Sequence, residues 1–77
     1  MSNSNKFIVV FKEGTAQEVV DAAAADVNAK GGEIKQRYDG TVLLGFSAVI
    51  HDSHFSTLQA DPNVDYIEAD GIVSVQQ

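Results

Sequence analysis

A short polar cluster, His51-Asp52-Ser53-His54, brings together the residue types in this chain that could do chemistry. Histidine and aspartate can ligate a metal ion, and serine, histidine and aspartate can form a hydrolase triad. The cluster offers no evident fourth metal ligand, and a chain of 77 residues has little volume for a catalytic cleft. Polar residues of this kind are also typical of a helix start. We therefore interpret the cluster as solvated helix-cap residues and predict no enzyme, no metal site and no cofactor.

The charge balance limits the partners that the chain can bind. Eleven acidic side chains oppose five basic ones, which gives a formal net charge of -6. An acidic surface repels phosphate groups, so we expect neither nucleic acid nor an anionic membrane as a partner. The pair Gly31-Gly32 is followed by no predicted helix, so it indicates the end of a helix and not a phosphate-binding loop.

Length and composition predict one small globular domain covering residues 1–77. Hydrophobic residues make up 44% of the chain, and cysteine is absent, so no disulfide can stabilise the small core. We expect a monomer when the protein is free. The apolar run 7–11 is too short for a signal peptide, which predicts a cytoplasmic protein, although secretion or vacuolar delivery stays open.

Apolar periodicity and turn residues predict six elements in the order βαββαβ. A Thr15–Glu18 capping box begins the first helix, Asp52 or Ser53 caps the second, and Asp39-Gly40 predicts a two-residue hairpin turn. The predicted strands cover residues 6–12, 33–38, 41–50 and 64–69.

Right-handed crossovers turn this order into a ferredoxin-like sandwich of the α+β class. The predicted sheet has four antiparallel strands, with two helices on one face. The folded body covers residues 6–70, and an extended tail follows at residues 71–77.

Two of the predicted strands are apolar on both faces of the sheet. In the first strand Phe7, Val9 and Phe11 alternate with Ile8 and Val10. Two short helices can cover only one face. Either the strands simply favour β-forming residues, or the uncovered face is a docking surface for another protein.

Three segments of the chain resemble the subtilisin propeptide-like inhibitors, which include the free-standing fungal proteinase inhibitors related to subtilase prodomains. The first segment is the opening strand, residues 6–12. The second is Gly31-Gly32-Glu33-Ile34 with the later pair Gly45-Phe46, and the third is the acidic stretch 66–73. Together with the element order, the resemblance covers nearly the whole chain.

The resemblance implies an inhibitor of subtilisin-like serine proteases whose sheet packs on two surface helices of the enzyme. Glu68 and Asp70 match the family's acidic residues that cap the N-termini of those helices. Ala69 stands where the family often has a third acid, but it points away from the other two on a strand. If Glu68 faces the protease, Val64 and Tyr66 share its face and Ile67 turns toward the helices.

The resemblance also implies that the tail enters the active-site cleft of the protease as an extended, product-like strand. The tail residues concerned are Val73, Ser74, Val75, Gln76 and Gln77. One register places Gln76 in the primary specificity pocket and Val73 in the hydrophobic pocket upstream. The other register places Gln77 and Ser74 there. We favour the first, because valine suits an apolar pocket better than serine.

Three hypotheses follow for the function, and the third, a natural prodomain fragment cut from a larger precursor, is tested by the intact mass of the native protein. The first is competitive protease inhibition, with a possible additional role as a folding template for a subtilase. The second is a ferredoxin-like interaction module that has no protease partner. Removal of residues 73–77 distinguishes the first two, because only an inhibitor loses inhibition while its fold is retained.

Overall fold

The computed structural model describes residues 4–70, and the predicted tail at 71–77 lies outside the described residues. The six predicted elements and their order are confirmed. They are β1 (Ser4–Phe11), α1 (Gln17–Ala29), β2 (Glu33–Asp39), β3 (Leu44–His51), α2 (Asp52–Gln59) and β4 (Val64–Ala69).

The four strands form one antiparallel sheet with the order β2-β3-β1-β4. Both helices pack on the same face of this sheet, as the ferredoxin-like arrangement requires. Their buried residues share one cluster with β1, β3 and β4; it comprises Val9, Phe11, Val20, Ala24, Val27, Phe46, Ala48, Ile50, Leu58 and Val64. The most polar predicted strand, β2, lies at an edge of the sheet, where its charged side chains discourage pairing with another chain.

The helix starts differ from their predicted form. The Thr15 hydroxyl donates to the carbonyl oxygen of Lys12 at 2.7 Å, so it serves the turn after β1 and not a capping box. The N-cap of α1 is Ala16, which makes no side-chain capping bond. At α2 the cap is His51, whose Nδ1 accepts from the backbone N–H of Ser53 at 3.2 Å. The predicted caps at both helices are therefore wrong.

The connection between β2 and β3 is longer than the predicted two-residue turn. It covers residues 40–43, and the backbone N–H of Gly40 donates to the carbonyl oxygen of Leu43 at 2.8 Å. The Asp39 carboxylate accepts from the backbone N–H of Thr41 at 2.9 Å. Strand β3 consequently begins at Leu44, three residues later than predicted.

Two glycines permit close packing that no larger residue would allow. At Gly32, just after α1, a Cβ atom would overlap the carbonyl oxygen of Val49. At Gly45, whose φ is +152°, a Cβ atom would overlap the carbonyl oxygen of Val9. Gly45 thus lets β3 approach β1 closely, which gives a physical reason for the glycine before Phe46.

Candidate functional site

The candidate site lies on the face of the sheet opposite the helices, which we call the open face. Side chains alternate between the two faces of a strand. Val9 and Ile67 pack against the core beneath the helices, so their neighbours Ile8, Tyr66 and Glu68 belong to the open face. Across this face Ile8 lies opposite Glu68 on β4 and opposite Ser47 on β3.

The open face is apolar along its middle. Ile8 and Val49 are half-buried, and Tyr66 keeps 42% of its surface exposed. Val10 and Ser47 are buried even though they lie on this face. The result is a shallow apolar surface to which the central strands contribute, in addition to β4.

Val64 does not lie on the open face, and that part of the prediction is wrong. The pairing of β1 with β4 shifts between Val10 and Phe11, where a bulge leaves Asp65 as an extra residue. Val10 pairs with Tyr66, but Phe11 pairs with Val64. The bulge therefore turns Val64 into the core, where it is 8% exposed.

Asp70 follows the end of β4 and is the last described residue before the predicted tail. The backbone N–H of Asp70 donates to the carbonyl oxygen of Lys6 at 2.9 Å, which extends the β1–β4 pairing by one bond. The Asp70 carboxylate also lies 3.7 Å from the ammonium group of Lys6. The predicted cleft-binding residues 73–77 follow this point but lie outside the described residues.

Glu68 and Asp70 carry their charges at the same end of the open face. They are two residues apart on an extended chain, about 6.6 Å by strand geometry, so they project to the same side. Glu68 is exposed, and no ion pair involves it within residues 4–70. Two carboxylates in this arrangement can attract the partial positive charge at helix N-termini.

The polar cluster around α2 does not form a catalytic or metal centre in the part of the chain that the structure describes. No three histidine or acidic side chains there lie close enough together to hold a metal ion. His51 caps the helix, but His54, within α2, is buried and only 3% exposed. Burial lowers the pKa of His54, and the positive charge of Lys30 lowers it further, whereas Asp26 acts in the opposite direction. The interpretation of His54 as a solvated residue is therefore wrong.

Neither described helix is long and apolar enough to span a bilayer. The helices instead use their apolar stripes to cover one face of the sheet.

Comparison with known families identifies the group to which this architecture belongs. The family model for peptidase inhibitor I9 matches residues 6–76, which is almost the whole chain. The chain belongs to the peptidase inhibitor I9 family. The match includes β1 from Lys6 onward and all of β2, β3 and β4, and it continues into the predicted tail.

Individual relatives of this I9 chain are of two kinds. Serine proteinase inhibitor IA-2 of Pleurotus ostreatus is 35% identical over 96% of this chain and 100% of its own length. Proteinase R of Parengyodontium album is 33% identical over 94% of this chain, which corresponds to 18% of the proteinase. Subtilisin-like protease 5 of Trichophyton tonsurans is 28% identical over 91% of this chain and 20% of its own length. Similar sequences therefore occur both as a whole inhibitor and as a small part of a protease.

The sequence predicts Val64 and Tyr66 of β4 for the docking face, and the structure places Ile8 and Val49 on the same face as Tyr66. The signal for Ile8 is the alternation within residues 7–11, in which both faces of one strand are apolar. The alternation alone does not show whether Ile8 and Val10 or the other three residues of the run face the helices, because that depends on the order of the strands.

Proposed function

We propose that this chain inhibits subtilisin-like serine proteases by binding competitively and catalyses no reaction itself. The observation that carries the proposal is the apolar face of the sheet that neither helix covers, which ends at Glu68 and Asp70, just before the predicted tail. Membership of the I9 family and the names of the inhibitor and protease relatives support the same class of partner.

In the first step, the open face docks on the surface of the enzyme. Tyr66, Ile8 and Val49 provide the apolar contact, and exposed aromatic residues at the centre of an interface contribute strongly to affinity. Because the face is already formed by regular strands, docking requires little ordering of the backbone.

In the second step, Glu68 and Asp70 approach the N-termini of helices on the enzyme. Unpaired backbone N–H groups and the helix dipole favour a carboxylate at such ends. Asp70 must exchange its contact with Lys6 for the new one. That ion pair is 3.7 Å long and half of the Lys6 side chain is exposed, so its loss costs little.

In the third step, residues 73–77 enter the active-site cleft as an extended strand. Main-chain hydrogen bonds with the enzyme provide affinity, and alternate side chains fill its pockets. Gln76 occupies the primary specificity pocket and Val73 the hydrophobic one. The backbone hydrogen bond from Asp70 N–H to the carbonyl oxygen of Lys6 is separate from the side-chain ion pair and holds the residue that precedes the tail. Docking of the sheet therefore raises the effective concentration of the tail at the cleft.

The test is a titration of purified subtilisin with the intact chain and with a chain that ends at Asp70. We expect competitive inhibition by the intact chain and a loss of at least about 100-fold for the shortened one, since a tethered tail contributes on this scale. The far-UV circular dichroism of both forms should be the same. If neither form inhibits, the chain is an interaction module of another kind and the proposal fails.

A smaller deletion tests the register of the tail. If Gln76 fills the primary pocket, removal of Gln77 alone leaves the inhibition constant nearly unchanged. If Gln77 fills that pocket, the same deletion weakens inhibition strongly.

A second activity, help with the folding of a subtilase, is favoured by the similarity of this chain to a small part of two proteases. A surface that fits the folded enzyme better than its unfolded state stabilises the folded enzyme. Refolding a subtilisin without its own prodomain, with and without this chain, tests the idea. Equal yields of active enzyme would refute it.

A further inference from the structure

The loop between β2 and β3 presents an exposed apolar ridge. Val42 is 88% exposed and Leu43, beside it, is half-buried. Both residues line two surface hollows, one of about 380 Å³ and one of about 280 Å³. We call Val42-Leu43 the loop-end ridge, because a hollow lies on either side of it.

Hydrogen bonds within the loop hold this ridge in place. The Gly40–Leu43 backbone bond closes the turn at 2.8 Å, and the Asp39 carboxylate accepts from Thr41 N–H at 2.9 Å. The bonds from Thr41 also lower the pKa of Asp39, which keeps this acceptor ionised. A partner that covers Val42 would thus meet an ordered turn, and the entropy lost on binding would be small.

The ridge is continuous with the open face. The smaller hollow beside it is also lined by Val10 and Tyr66, which both belong to that face. Among residues 4–70, Val42 and Tyr66 are the large hydrophobic residues with the greatest exposure, and they border the same hollow. Isolated exposed apolar residues are common, but two that border one hollow form a patch of the kind found at interfaces.

The charges around this hollow indicate the chemistry of the complementary surface. Glu13 and Asp65 line it together with Val42 and Tyr66, and among residues 4–70 no basic side chain does. The larger hollow carries one charge of each sign, Arg37 and Asp39. A surface that fits the smaller hollow should therefore offer apolar groups with lysine or arginine on the side of Glu13 and Asp65.

We propose that the loop-end ridge is a second contact for the same protease, remote from the active-site cleft, and fits an apolar depression flanked by basic side chains. This inference rests on the proposed function, because it extends the docking surface of that complex. Tyr66 lies four residues before Asp70, about 13 Å along the strand, and the ridge lies beyond it. The ridge can therefore select among subtilisin-like proteases whose active-site clefts are alike.

The experiment compares inhibition constants for the wild-type chain, Val42→Ser and Ala25→Ser. It uses the enzyme from a panel of subtilisin-like proteases that the wild-type chain inhibits most tightly. Ala25 is exposed on α1 and serves as the control for a serine placed away from the open face. We expect Val42→Ser to weaken inhibition about tenfold, because an apolar side chain of this size is buried on binding. Ala25→Ser should inhibit as the wild type does, and Val42→Ser should keep the thermal midpoint of the wild type.

The charge requirement is tested separately with the double variant Glu13→Gln, Asp65→Asn. We expect its association rate to be lower than that of the wild type in low salt and equal to it in high salt.

Each result decides a different question. Equal inhibition by the wild type and Val42→Ser would overturn this inference and leave the proposed function intact. No inhibition by the wild type itself would overturn the proposed function. If Val42→Ser abolishes a wild-type dimer seen by sedimentation but inhibits as the wild type does, the ridge is a contact between two copies of the chain and not a protease contact.

Discussion

The two faces of the sheet are made from the same strands and differ in what covers them. On β1, Val9 is fully buried beneath the helices, whereas its neighbour Ile8 on the opposite face is half-buried. On β4, Ile67 packs against the core and Tyr66 is 42% exposed. The two helices thus cover one apolar face, and no element within residues 4–70 covers the second.

This difference separates stability from inhibition along a single strand. Residues that face the helices should affect mainly the free energy of unfolding. Residues on the open face should affect mainly the inhibition constant. Variants of neighbouring residues can break or sharpen this distinction.

The largest effect is expected at Gly45, where the strands that carry both faces approach each other most closely. Gly45→Ala should lower the free energy of unfolding by about 3 kcal/mol or more, because its Cβ would overlap the carbonyl oxygen of Val9. Gly14→Ala is the matched control, since Gly14 also has a positive φ, +89°, but a Cβ atom there would meet no other atom within 4 Å. It should cost only about 1 kcal/mol in urea unfolding. Equal losses would show that the strands are not tightly packed at Gly45.

Two neighbouring residues on β4 test the distinction directly. Ile67→Ala should lower the free energy of unfolding by about 2 kcal/mol, because it removes part of the core contact. Tyr66→Ala should leave unfolding nearly unchanged and weaken inhibition about 30-fold, as expected for an aromatic anchor at the centre of an interface. Urea unfolding and inhibition constants measured on both variants provide the comparison. A stable Ile67→Ala together with an unstable Tyr66→Ala would reverse the assignment of the faces.

The carboxylate at the end of the open face should have a moderate effect. Glu68→Gln should weaken inhibition about fivefold in low salt, since a charge at a helix N-terminus contributes up to about 1 kcal/mol. The matched control Glu18→Gln removes the same charge from α1, on the helix side of the sheet, and should leave the inhibition constant unchanged. Equal inhibition constants for the two variants would argue against the capping of enzyme helices by Glu68.

The smallest effect is expected from the pH dependence of the free energy of unfolding, which involves His54, the buried histidine of α2. Because burial lowers the pKa of His54, the unfolded chain binds a proton at higher pH than the folded chain does. The free energy of unfolding should therefore decrease as the pH falls below the ordinary pKa of 6.5. The decrease should be smaller in His54→Gln than in the wild type. Urea unfolding between about pH 7.5 and 5.5 measures it, above the range in which Asp21 and Asp39, whose pKa values are lowered, bind protons.

Much of the fold follows from local signals in the sequence. The bounds of β4, the end of α1 at Gly31-Gly32 and the position of β2 at an edge agree with the predictions. These features depend on short-range periodicity, on glycine conformation and on side-chain charge, which a single sequence displays.

The predictions that failed depend on a choice between two hydrogen-bond partners or on pairing between residues that are distant in the sequence. Thr15 could serve a capping box or the turn after β1, and only the folded geometry shows that it serves the turn. Strict alternation assigns Val64 to the open face, but the bulge opposite Val10 and Phe11 changes the face. The register between β1 and β4 decides which face Val64 lies on, and a local sequence pattern does not contain that register.

Methyl NMR spectroscopy of the chain bound to an inactivated subtilisin tests the central claim most directly. Ile8 and Val49 report on the open face, and Val20 and Leu58 report on the helix side. We predict large shift changes and cross-saturation from the enzyme at Ile8 and Val49, with little change at Val20 and Leu58. Perturbation of the helix side with an unaffected open face would contradict the account.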